Sequence, residues 1–448
     1  MSPSTMLRTS PSTALTSSRR PFGRTSLICL GLSHATTPIA LRERFALPGN
    51  TLREFLTPRG GIQEYAIIST CNRLEIYAVL PDADESHLLQ VEPVETLLES
   101  ISGLSREFFS GYIYHYEGLD AVRHLGRVAA GLDSLVVGES QILGQVVDAF
   151  GLARERGVTG PTLDAVFRSG IRAGKRARTE TEISRNPVSI SSVAVRLAQD
   201  ALGDLHNVRV LMIGAGEMAG LAVEALRQRR VGEIVIVNRT LASAQELASR
   251  CGGRALPLDE IKTALANTDL VIASSGAPFM IVDASMLGEA HIAARDFPLV
   301  FIDIAVPRNI SPEVTHLPNI RYYDIDALKS AQDEGRAGRE SAIPNVEKII
   351  AEELAGYQEW ERQQQVTPLI ASLYAKAETI RQAEIERTLR RWPGAGQAER
   401  QRLEALTEAI INRLLHQASL HLKANADQEV VTQYAVMLQE LFALDYNI

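Results

Sequence analysis

The order of apolar and polar positions divides the chain into four stretches of different character. Residues 1–25 show neither a strand nor a helix pattern, whereas residues 26–182 begin with short apolar runs typical of strands and continue in helical patterns. Residues 183–325 alternate buried-strand runs with helical segments, and residues 326–448 are helical. We therefore predict a disordered extension (1–25), a small α/β domain (26–182), a second α/β domain (183–325) and an all-α tail that begins with a long helix (326–448).

The second α/β domain contains a glycine-rich turn between a strand and a helix. The apolar run at residues 208–213 is followed directly by a G-x-G-x-x-A pattern, and further strand runs lie at residues 233–237, 270–273 and 299–304. The glycines permit a tight turn and close approach of the backbone to a pyrophosphate, which the next helix N-terminus stabilises. This pattern predicts a parallel sheet of the Rossmann type. The predicted phosphate-binding residues are Gly214, Ala215, Gly216, Glu217, Met218 and Ala219.

The next strand of this domain ends in Asn238, Arg239 and Thr240. An NAD-binding site usually has an acidic residue at this strand end, where it binds the ribose hydroxyls. Arg239 would instead attract a 2'-phosphate. The sequence therefore favours NADPH as the cofactor, with all three residues in its site.

A thiol lies where two strand-like runs of the first domain break. Cys71 follows the run at residues 65–68 and precedes the alternating run at residues 74–79. A free thiol with a pKa of about 8.5 is only slightly ionised at neutral pH, and a cation such as Arg73 would raise its thiolate fraction. A buried, inert cysteine is the alternative. Cys29 and Cys251 form neither a CxxC nor a metal-binding spacing with Cys71, so the sequence indicates no metal site and a reducing compartment.

A glycine-punctuated segment at residues 131–145 is rich in hydrogen-bonding groups and leads into a helix. It is suited to line a polar pocket. An ordinary helix N-terminus capped by Ser140 or Glu139 is the alternative.

Composition limits the classes of function. The 448 residues are 45% hydrophobic and carry a formal net charge of −8, which argues against broad non-specific nucleic-acid binding. A local basic face would still suit one particular RNA. No run approaches the roughly 20 apolar residues needed to span a bilayer. We expect a cytoplasmic protein; the acid-poor, arginine-bearing first residues are also compatible with a transit peptide, which would place it in the plastid stroma.

One helical segment carries four cations on a single face. Arg168, Arg172, Lys175 and Arg176 recur at the spacing of one helix face. The face suits RNA phosphates, and a solvated surface is the alternative.

Two apolar stripes mark the all-α tail, one at Leu403, Leu406, Ile410 and Leu414 and the other at Val431, Tyr434, Leu438 and Leu441. A core within one helical bundle would explain them. Because they follow a complete nucleotide-binding domain, a dimer interface is favoured.

A reactive thiol combined with a nicotinamide cofactor indicates acyl reduction, in which a thioester is reduced to an aldehyde. At this level of detail the chain resembles the glutamyl-tRNA reductases, which make glutamate-1-semialdehyde for tetrapyrrole biosynthesis. The motifs that carry the resemblance are GLSH at residues 31–34, LRER at 41–44, STCNRLE at 69–75, residues 131–145, KRARTET at 175–181, GAGEM at 214–218, NRT at 238–240 and DIAVPR at 303–308.

The resemblance implies roles for individual residues. Cys71 would be the nucleophile, and His124 would give acid–base help at the thioester. Arg73 would pair with the carboxylate of the glutamyl group. The remaining residues that match the family's substrate-binding positions are Thr70, Asn72, Ser134, Glu139, Ser140, Gln141 and Gln145.

The resemblance also implies an architecture and partners. The family fold combines a catalytic α/β domain, an NADPH domain, and a long spinal helix leading to a dimerisation domain. The expected partners are glutamyl-tRNA(Glu) as substrate, a second copy of the chain, and a glutamate-1-semialdehyde aminotransferase to which product is channelled.

Two departures and two rival classes accompany the resemblance. Ala219 replaces a common third glycine, and Pro344 falls within the expected long helix, which would kink there or begin as late as Ser341.

A small-molecule dehydrogenase resembling shikimate dehydrogenase would share the nucleotide domain but use a Lys and Asp pair instead of Cys71. A non-catalytic tRNA-binding protein would explain the basic face and leave the nucleotide loop without a role.

Overall fold

The computed structural model describes residues 25–47, 49–81, 91–139, 141–184, 190–287, 298–328, 336–426 and 428–444. Two compact units emerge, one of residues Thr25–Gln358 and one that includes Glu359–Ile448. The predicted extension, apart from Thr25, and the predicted substrate contact Ser140 lie outside the described residues.

The first sheet of the larger unit is antiparallel. Its strands are β1 (Thr25–Ser33), β2 (Glu64–Ser69), β3 (Arg73–Pro81) and β4 (Tyr114–Glu117), in the order β2-β3-β1-β4. β2 and β3 form a hairpin whose last pair joins Ser69 to Leu74, so Cys71 lies in the connecting turn as predicted. The helices of this domain are Ile39–Arg42, Gly49–Phe55, Glu92–Ser102, Gly118–Ala129, Gln141–Glu155 and Pro161–Glu180.

Close packing of two helices supports this sheet. A Cβ atom added at Gly170 would lie 2.7 Å from Leu125 Cγ, and one added at Gly174 would lie 2.6 Å from the carbonyl oxygen of Ala129. Glycines four residues apart thus let Pro161–Glu180 approach Gly118–Ala129. This contact fixes His124, which lies on the latter helix.

The second sheet is parallel and has the strand order of a Rossmann fold. Its strands are β5 (Arg209–Ile213), β6 (Glu233–Asn238), β7 (Arg254–Pro257), β8 (Leu270–Ala273), β9 (Leu299–Asp303) and β10 (Ile320–Asp324), in the order β10-β9-β8-β5-β6-β7. The accompanying helices are Ile190–Leu202, Glu217–Gln228, Leu241–Cys251 and Ile261–Ala266. The chain order reverses between β5 and β8, and dinucleotides bind at such a point, beyond the carboxyl ends of the strands.

Residues of β5 alternate between two apolar cores, which explains the uninterrupted apolar run. Val210 and Met212 belong to one core cluster, whereas Leu211 and Ile213 belong to the other. Both faces of the sheet are therefore buried, as parallel sheets require.

The rest of the chain is helical, in three segments: Arg336–Arg391, Gln397–Ala424 and Gln428–Phe442. The long helix begins at Arg336, before Ser341, the latest start that the sequence indicated, and it continues through Pro344. Packing explains the earlier start, because Ala342, Val346 and Ile350 contribute to a buried cluster with residues of the first domain. This burial offsets the hydrogen bond that proline removes.

The apolar stripes differ in burial. Tyr434 and Leu438 pack against the core of the helical unit. Leu406, Ile410 and Leu414 are 58%, 55% and 73% exposed in the single chain. The first pair therefore belongs to an intrachain core, whereas the second set remains a candidate interface.

The described residues contain no helix that is both long enough and apolar enough to cross a membrane.

Candidate functional site

The turn that carries Cys71 is held by its own hydrogen bonds. Thr70 Oγ1 accepts from the backbone N–H groups of Asn72 and Arg73 at 3.1 and 3.2 Å, and the Thr70 N–H donates to the Arg73 carbonyl at 2.9 Å. The Asn72 carbonyl accepts from the His34 N–H at 2.8 Å. Cys71 is half-buried at the tip of this turn. The local sequence thus presents the thiol on a fixed backbone.

A buried ion-pair network lies behind the turn. Glu75 forms a salt bridge with Arg73, and it accepts hydrogen bonds from the Tyr77 hydroxyl at 2.9 Å and the Tyr114 hydroxyl at 2.7 Å. His124 Nε2 lies 2.9 Å from Glu75 Oε1. Arg73 also donates to the Asp133 carbonyl oxygen at 2.5 Å. Arg73 therefore already has two protein partners, and its contact with a substrate carboxylate stays a prediction.

His124 is held between two carboxylates. Its Nε2 faces Glu75 and its Nδ1 lies 3.4 Å from Asp133 Oδ2. Burial alone would lower the pKa of His124, but Glu75 and Asp133 outweigh it and raise that pKa to about 9. Burial likewise opposes ionisation of Glu75, yet Arg73 and His124 hold its pKa well below the usual range. At neutral pH His124 is an imidazolium, which donates protons rather than accepting them.

This assignment predicts a pH dependence of stability. Because the pKa of His124 is raised from 6.5 to about 9 on folding, its contribution is fully present below pH 6.5 and is lost as pH rises through 9. Between pH 7 and 8.5, the proton that His124 retains in the folded state should make the free energy of unfolding fall by about 1.4 kcal/mol per unit rise in pH. We expect His124→Gln to lack this part of the decline. Urea unfolding of both proteins across this range measures the difference; parallel profiles would contradict a charged His124.

The thiol itself is protonated in this structure. Burial and, next, the charge of Glu139 raise the pKa of Cys71 to about 12, and the opposing effects of Arg42 and Arg73 are smaller. The raised thiolate fraction expected from Arg73 is therefore not found, because burial and the charge of Glu139 outweigh its effect. The pKa of Glu139 is also raised. Burial raises it to about 7, Glu217 contributes in the same direction, and Arg73 and Arg178 oppose the shift.

Of the predicted substrate-binding residues at positions 134–145, Glu139 lies close enough to Cys71 for its charge to affect the thiol. Ser134, Glu139 and Gln141 are buried, and Gln145 is half-buried. Their loop is shaped by glycine: Gly138 has φ +79°, and an added Cβ would lie 2.1 Å from the Ile183 carbonyl oxygen. The helix that follows begins at Gln141, so the capping alternative for Ser140 falls outside the described residues.

The glycine-rich turn after β5 has the geometry of a phosphate site. Gly214 has φ +107°, and a Cβ there would lie 3.0 Å from the Ser275 N, whereas a Cβ at Gly216 would meet only open space. Gly216 is the N-cap of Glu217–Gln228 and supplies no side-chain cap to its N–H groups. Ala219 is fully buried where the helix packs on the sheet. The residues present therefore fit a dinucleotide, and alanine at position 219 leaves the phosphate side open.

A cavity of about 200 Å³ adjoins this turn, lined among others by Gly214, Asn238, Arg239 and Thr240. Asn238 Nδ2 donates to the Thr240 carbonyl at 3.0 Å, which fixes the strand end. Arg239 is exposed and has no carboxylate within ion-pair distance among the described residues. Its guanidinium is thus suited to a 2'-phosphate.

The larger unit brings the thiol and the nucleotide domain together. Cys71 packs against the core cluster on one face of the parallel sheet, as do Met218 of the glycine-rich turn and Val306 beyond β9. The predicted nucleophile and predicted cofactor site therefore lie at one domain junction.

Three of the four cations of the basic helix face form ion pairs within the chain. Arg172 Nε pairs with Glu353 at 2.8 Å, and Arg176 contacts Glu352 at 2.7 Å and Glu353 at 3.1 Å. Arg168 pairs with Asp164 at 3.0 Å. Carboxylates of the long helix thus pair with two of the four cations, while the Arg168 and Arg172 side chains stay 66% and 60% exposed. Contact of this face with RNA phosphates stays a prediction.

Sequence reasoning missed Glu75 and Asp133. The alternating run at residues 74–79 suggested a half-buried strand with Glu75 toward solvent, whereas β3 is buried on both faces. The available signal was that Glu75 lies two residues from Arg73, a spacing that places both side chains on one face of a strand.

The described residues also bring together three possible metal ligands. Atoms of Cys29, Glu75 and His124 lie within 4.8 Å of one another. Glu75, however, is already bound by Arg73 and by two tyrosine hydroxyls.

Three family models match consecutive parts of the chain. "Glutamyl-tRNAGlu reductase, N-terminal domain" matches residues 30–181, "Shikimate / quinate 5-dehydrogenase" matches residues 196–331, and "Glutamyl-tRNAGlu reductase, dimerisation domain" matches residues 345–444. The shikimate dehydrogenase match covers the nucleotide-binding region alone.

Full-length relatives share one name. The glutamyl-tRNA reductase of Syntrophobacter fumaroxidans is 42% identical over 424 residues, which cover 93% of this chain and 91% of the relative. That of Syntrophotalea carbinolica is 38% identical over 425 residues, covering 94% and 95%. The solved glutamyl-tRNA reductase of Methanopyrus kandleri is 32% identical, with 93% of this chain and 99% of that chain covered and a TM-score of 0.48.

Proposed function

Because the chain belongs to the glutamyl-tRNA reductase family, we propose that it reduces glutamyl-tRNA(Glu) to glutamate-1-semialdehyde with NADPH and releases the tRNA, as the first step of tetrapyrrole biosynthesis. The observation that carries the proposal is the thiol turn of Cys71 packed at the nucleotide domain. A dehydrogenase of the shikimate type would need no cysteine there.

In the first step, the Cys71 sulfur attacks the carbonyl carbon of the aminoacyl ester. A carbon–sulfur bond forms and the ester carbon–oxygen bond breaks. The leaving tRNA oxygen takes a proton from the His124 imidazolium, and the proton that the thiol loses restores that imidazolium. The substrate itself favours ionisation of the thiol. Its α-ammonium group suits the buried Glu139 carboxylate, and pairing there would offset the charge that, after burial, contributes most to the raised pKa of Cys71.

His124 supplies the acid in this proposal. As an imidazolium held by Glu75 and Asp133, it can donate a proton toward the leaving hydroxyl or the developing oxyanion. Thr70, Asn72 and Arg73 would grip the glutamyl group. The buried Asn72 Oδ1 supports this role, because it has no hydrogen-bond partner among the described residues.

The glycine-rich turn and the strand end at residues 238–240 would hold NADPH. When bound there, NADPH supplies the hydride that converts the thioester into an aldehyde. Arg239 would pair with the 2'-phosphate, and the N–H groups of the helix after Gly216 would bind the pyrophosphate.

Arg239→Ala tests this cofactor assignment. We expect the dissociation constant for NADPH to rise about tenfold or more and that for NADH to change less than about twofold, since only NADPH carries the 2'-phosphate. Fluorescence titration of each reduced cofactor measures both constants. Equal weakening of the two cofactors would contradict the assignment. Arg254→Ala is a matched control, because its exposed guanidinium pairs with Glu233 instead.

The two-step reaction predicts a trapped intermediate. Incubation of the full chain with glutamyl-tRNA and no NADPH should leave a glutamyl adduct on the peptide that contains Cys71 and slowly release free glutamate. NADPH should divert the product to the aldehyde. Mass spectrometry of acid-quenched enzyme detects the adduct; its absence, despite bound glutamyl-tRNA, would refute the thioester route.

The helical unit would provide a homodimer interface. The dimerisation-domain match covers it, and Leu406, Ile410 and Leu414 expose an apolar stripe in the single chain. Transfer of the product to an aminotransferase remains part of the proposal.

A further inference from the structure

Two ion pairs join the first domain to the nucleotide domain beside Cys71. Arg42 and Glu43 are consecutive residues at the end of the helix Ile39–Arg42. Their partners, Asp326 and Arg308, follow the neighbouring strands β10 and β9 at the carboxyl edge of the parallel sheet. Adjacent residues of one domain thus contact adjacent strand ends of the other.

The pair between Glu43 and Arg308 is bidentate. Arg308 Nε lies 2.8 Å from Glu43 Oε1, and Arg308 Nη2 lies 2.9 Å from Oε2. The backbone N–H of Arg308 also donates to Oε1 at 2.8 Å. Both side chains are only 16% exposed. Three charge-assisted hydrogen bonds fix orientation as well as distance between the domains.

Arg42 connects the nucleotide domain to the backbone of the nucleophile. Its Nη2 lies 2.5 Å from Asp326 Oδ1, and its Nη1 donates to the Cys71 carbonyl at 3.1 Å. Its Nε donates to the Thr37 carbonyl at 3.1 Å. A single buried guanidinium therefore bridges β10 and the thiol turn.

Asp303 holds the loop that presents Arg308. This buried carboxylate accepts from the N–H groups of Asn309 and Ile310 at 2.8 Å and from that of Ala305 at 3.1 Å. The loop is thus organised from within, and Arg308 reaches Glu43 from a fixed base.

We propose that Arg42–Asp326 and Glu43–Arg308 form a latch that positions the nucleotide domain for reduction of the Cys71 thioester. The inference rests on the function proposed above. Thioester formation needs only groups of the first domain, whereas reduction needs the edge of the parallel sheet to be aligned with Cys71. The latch residues are positioning residues. The Glu43–Arg308 pair acts on the second step alone, whereas Arg42 also holds the Cys71 carbonyl.

Arg308→Ala separates the two steps. We expect the NADPH-dependent rate with glutamyl-tRNA to fall roughly 10- to 100-fold, because small misplacements of reacting groups have effects of this size. Formation of the glutamyl adduct on Cys71 without NADPH should stay within about twofold. Alkylation of Cys71 by iodoacetamide, without tRNA or cofactor, should become faster as the domains separate.

Matched variants complete the test. Glu43→Gln should lower the NADPH-dependent rate as Arg308→Ala does. Arg308→Lys should retain more of that rate than Arg308→Ala. Arg53→Ala should change none of the measurements, since the exposed Arg53–Glu155 pair lies within the first domain. An unchanged reduction rate in Arg308→Ala and Glu43→Gln, or an equal fall of both steps, would overturn the latch. If the unsubstituted chain forms no adduct, the proposed function fails, and the alkylation rates still decide whether the pairs hold the domains together.

Discussion

Replacement of Cys71 by Ser is expected to lower the reductase rate at least ~1,000-fold while leaving the fold intact. The side chain is half-buried at the tip of a turn whose hydrogen bonds come from Thr70 and backbone groups, so the change from sulfur to oxygen leaves those hydrogen bonds in place. A serine hydroxyl is a far weaker acid than a thiol, so it forms the attacking anion much less readily.

The measurement is the rate of NADPH oxidation with glutamyl-tRNA, together with mass spectrometry of the peptide that contains residue 71. Cys251→Ser is the matched control, since Cys251 is also half-buried but lies at the end of the helix Leu241–Cys251. Near-normal turnover by a folded Cys71→Ser protein would exclude Cys71 as the nucleophile. The affinity for NADPH distinguishes loss of the nucleophile from unfolding. We expect this affinity to be unchanged in Cys71→Ser, because the nucleotide domain stays intact.

Local signals in the sequence predicted the two centres of the site. The hairpin turn of Cys71 and the glycine-rich turn at residues 214–219 each depend on residues close together in the chain, so strand periodicity and glycine spacing sufficed. The parallel arrangement of the strands also followed from the alternation of strands and helices. The division at residues 182/183 and 325/326 stays a prediction.

Contacts between distant residues escaped the sequence analysis. Arg42 meets Asp326 and Glu43 meets Arg308 only because the domains fold against each other. Charged residues on a helix face, such as Arg172 and Arg176, cannot reveal from spacing alone whether phosphate, solvent or another helix faces them. The structure adds Glu353 and Glu352 as partners of these two arginines, which no local pattern indicated.

Glu75 is expected to be the largest single contributor to stability among the residues of the site. It is fully buried, and it compensates the buried Arg73 while bonding His124, Tyr77 and Tyr114. Removing one partner of such a pair leaves an uncompensated charge in the interior. Glu75→Ala should therefore lower the free energy of unfolding of the first domain by about 3–5 kcal/mol.

Hydrogen exchange of the slowest amides in β1 and β3 reports the stability of this domain without interference from the helical unit. Glu155→Ala, which breaks the exposed pair with Arg53, is the control and should cost less than about 1 kcal/mol. Loss of Glu75 should also return the pKa of His124 toward its ordinary value, because Glu75 is the main charge that raises it. If Glu75→Ala changes the stability as little as Glu155→Ala does, the network does not stabilise the fold. If the pKa of His124 is the same in Glu75→Ala as in the unsubstituted protein, Glu75 does not keep the imidazole charged.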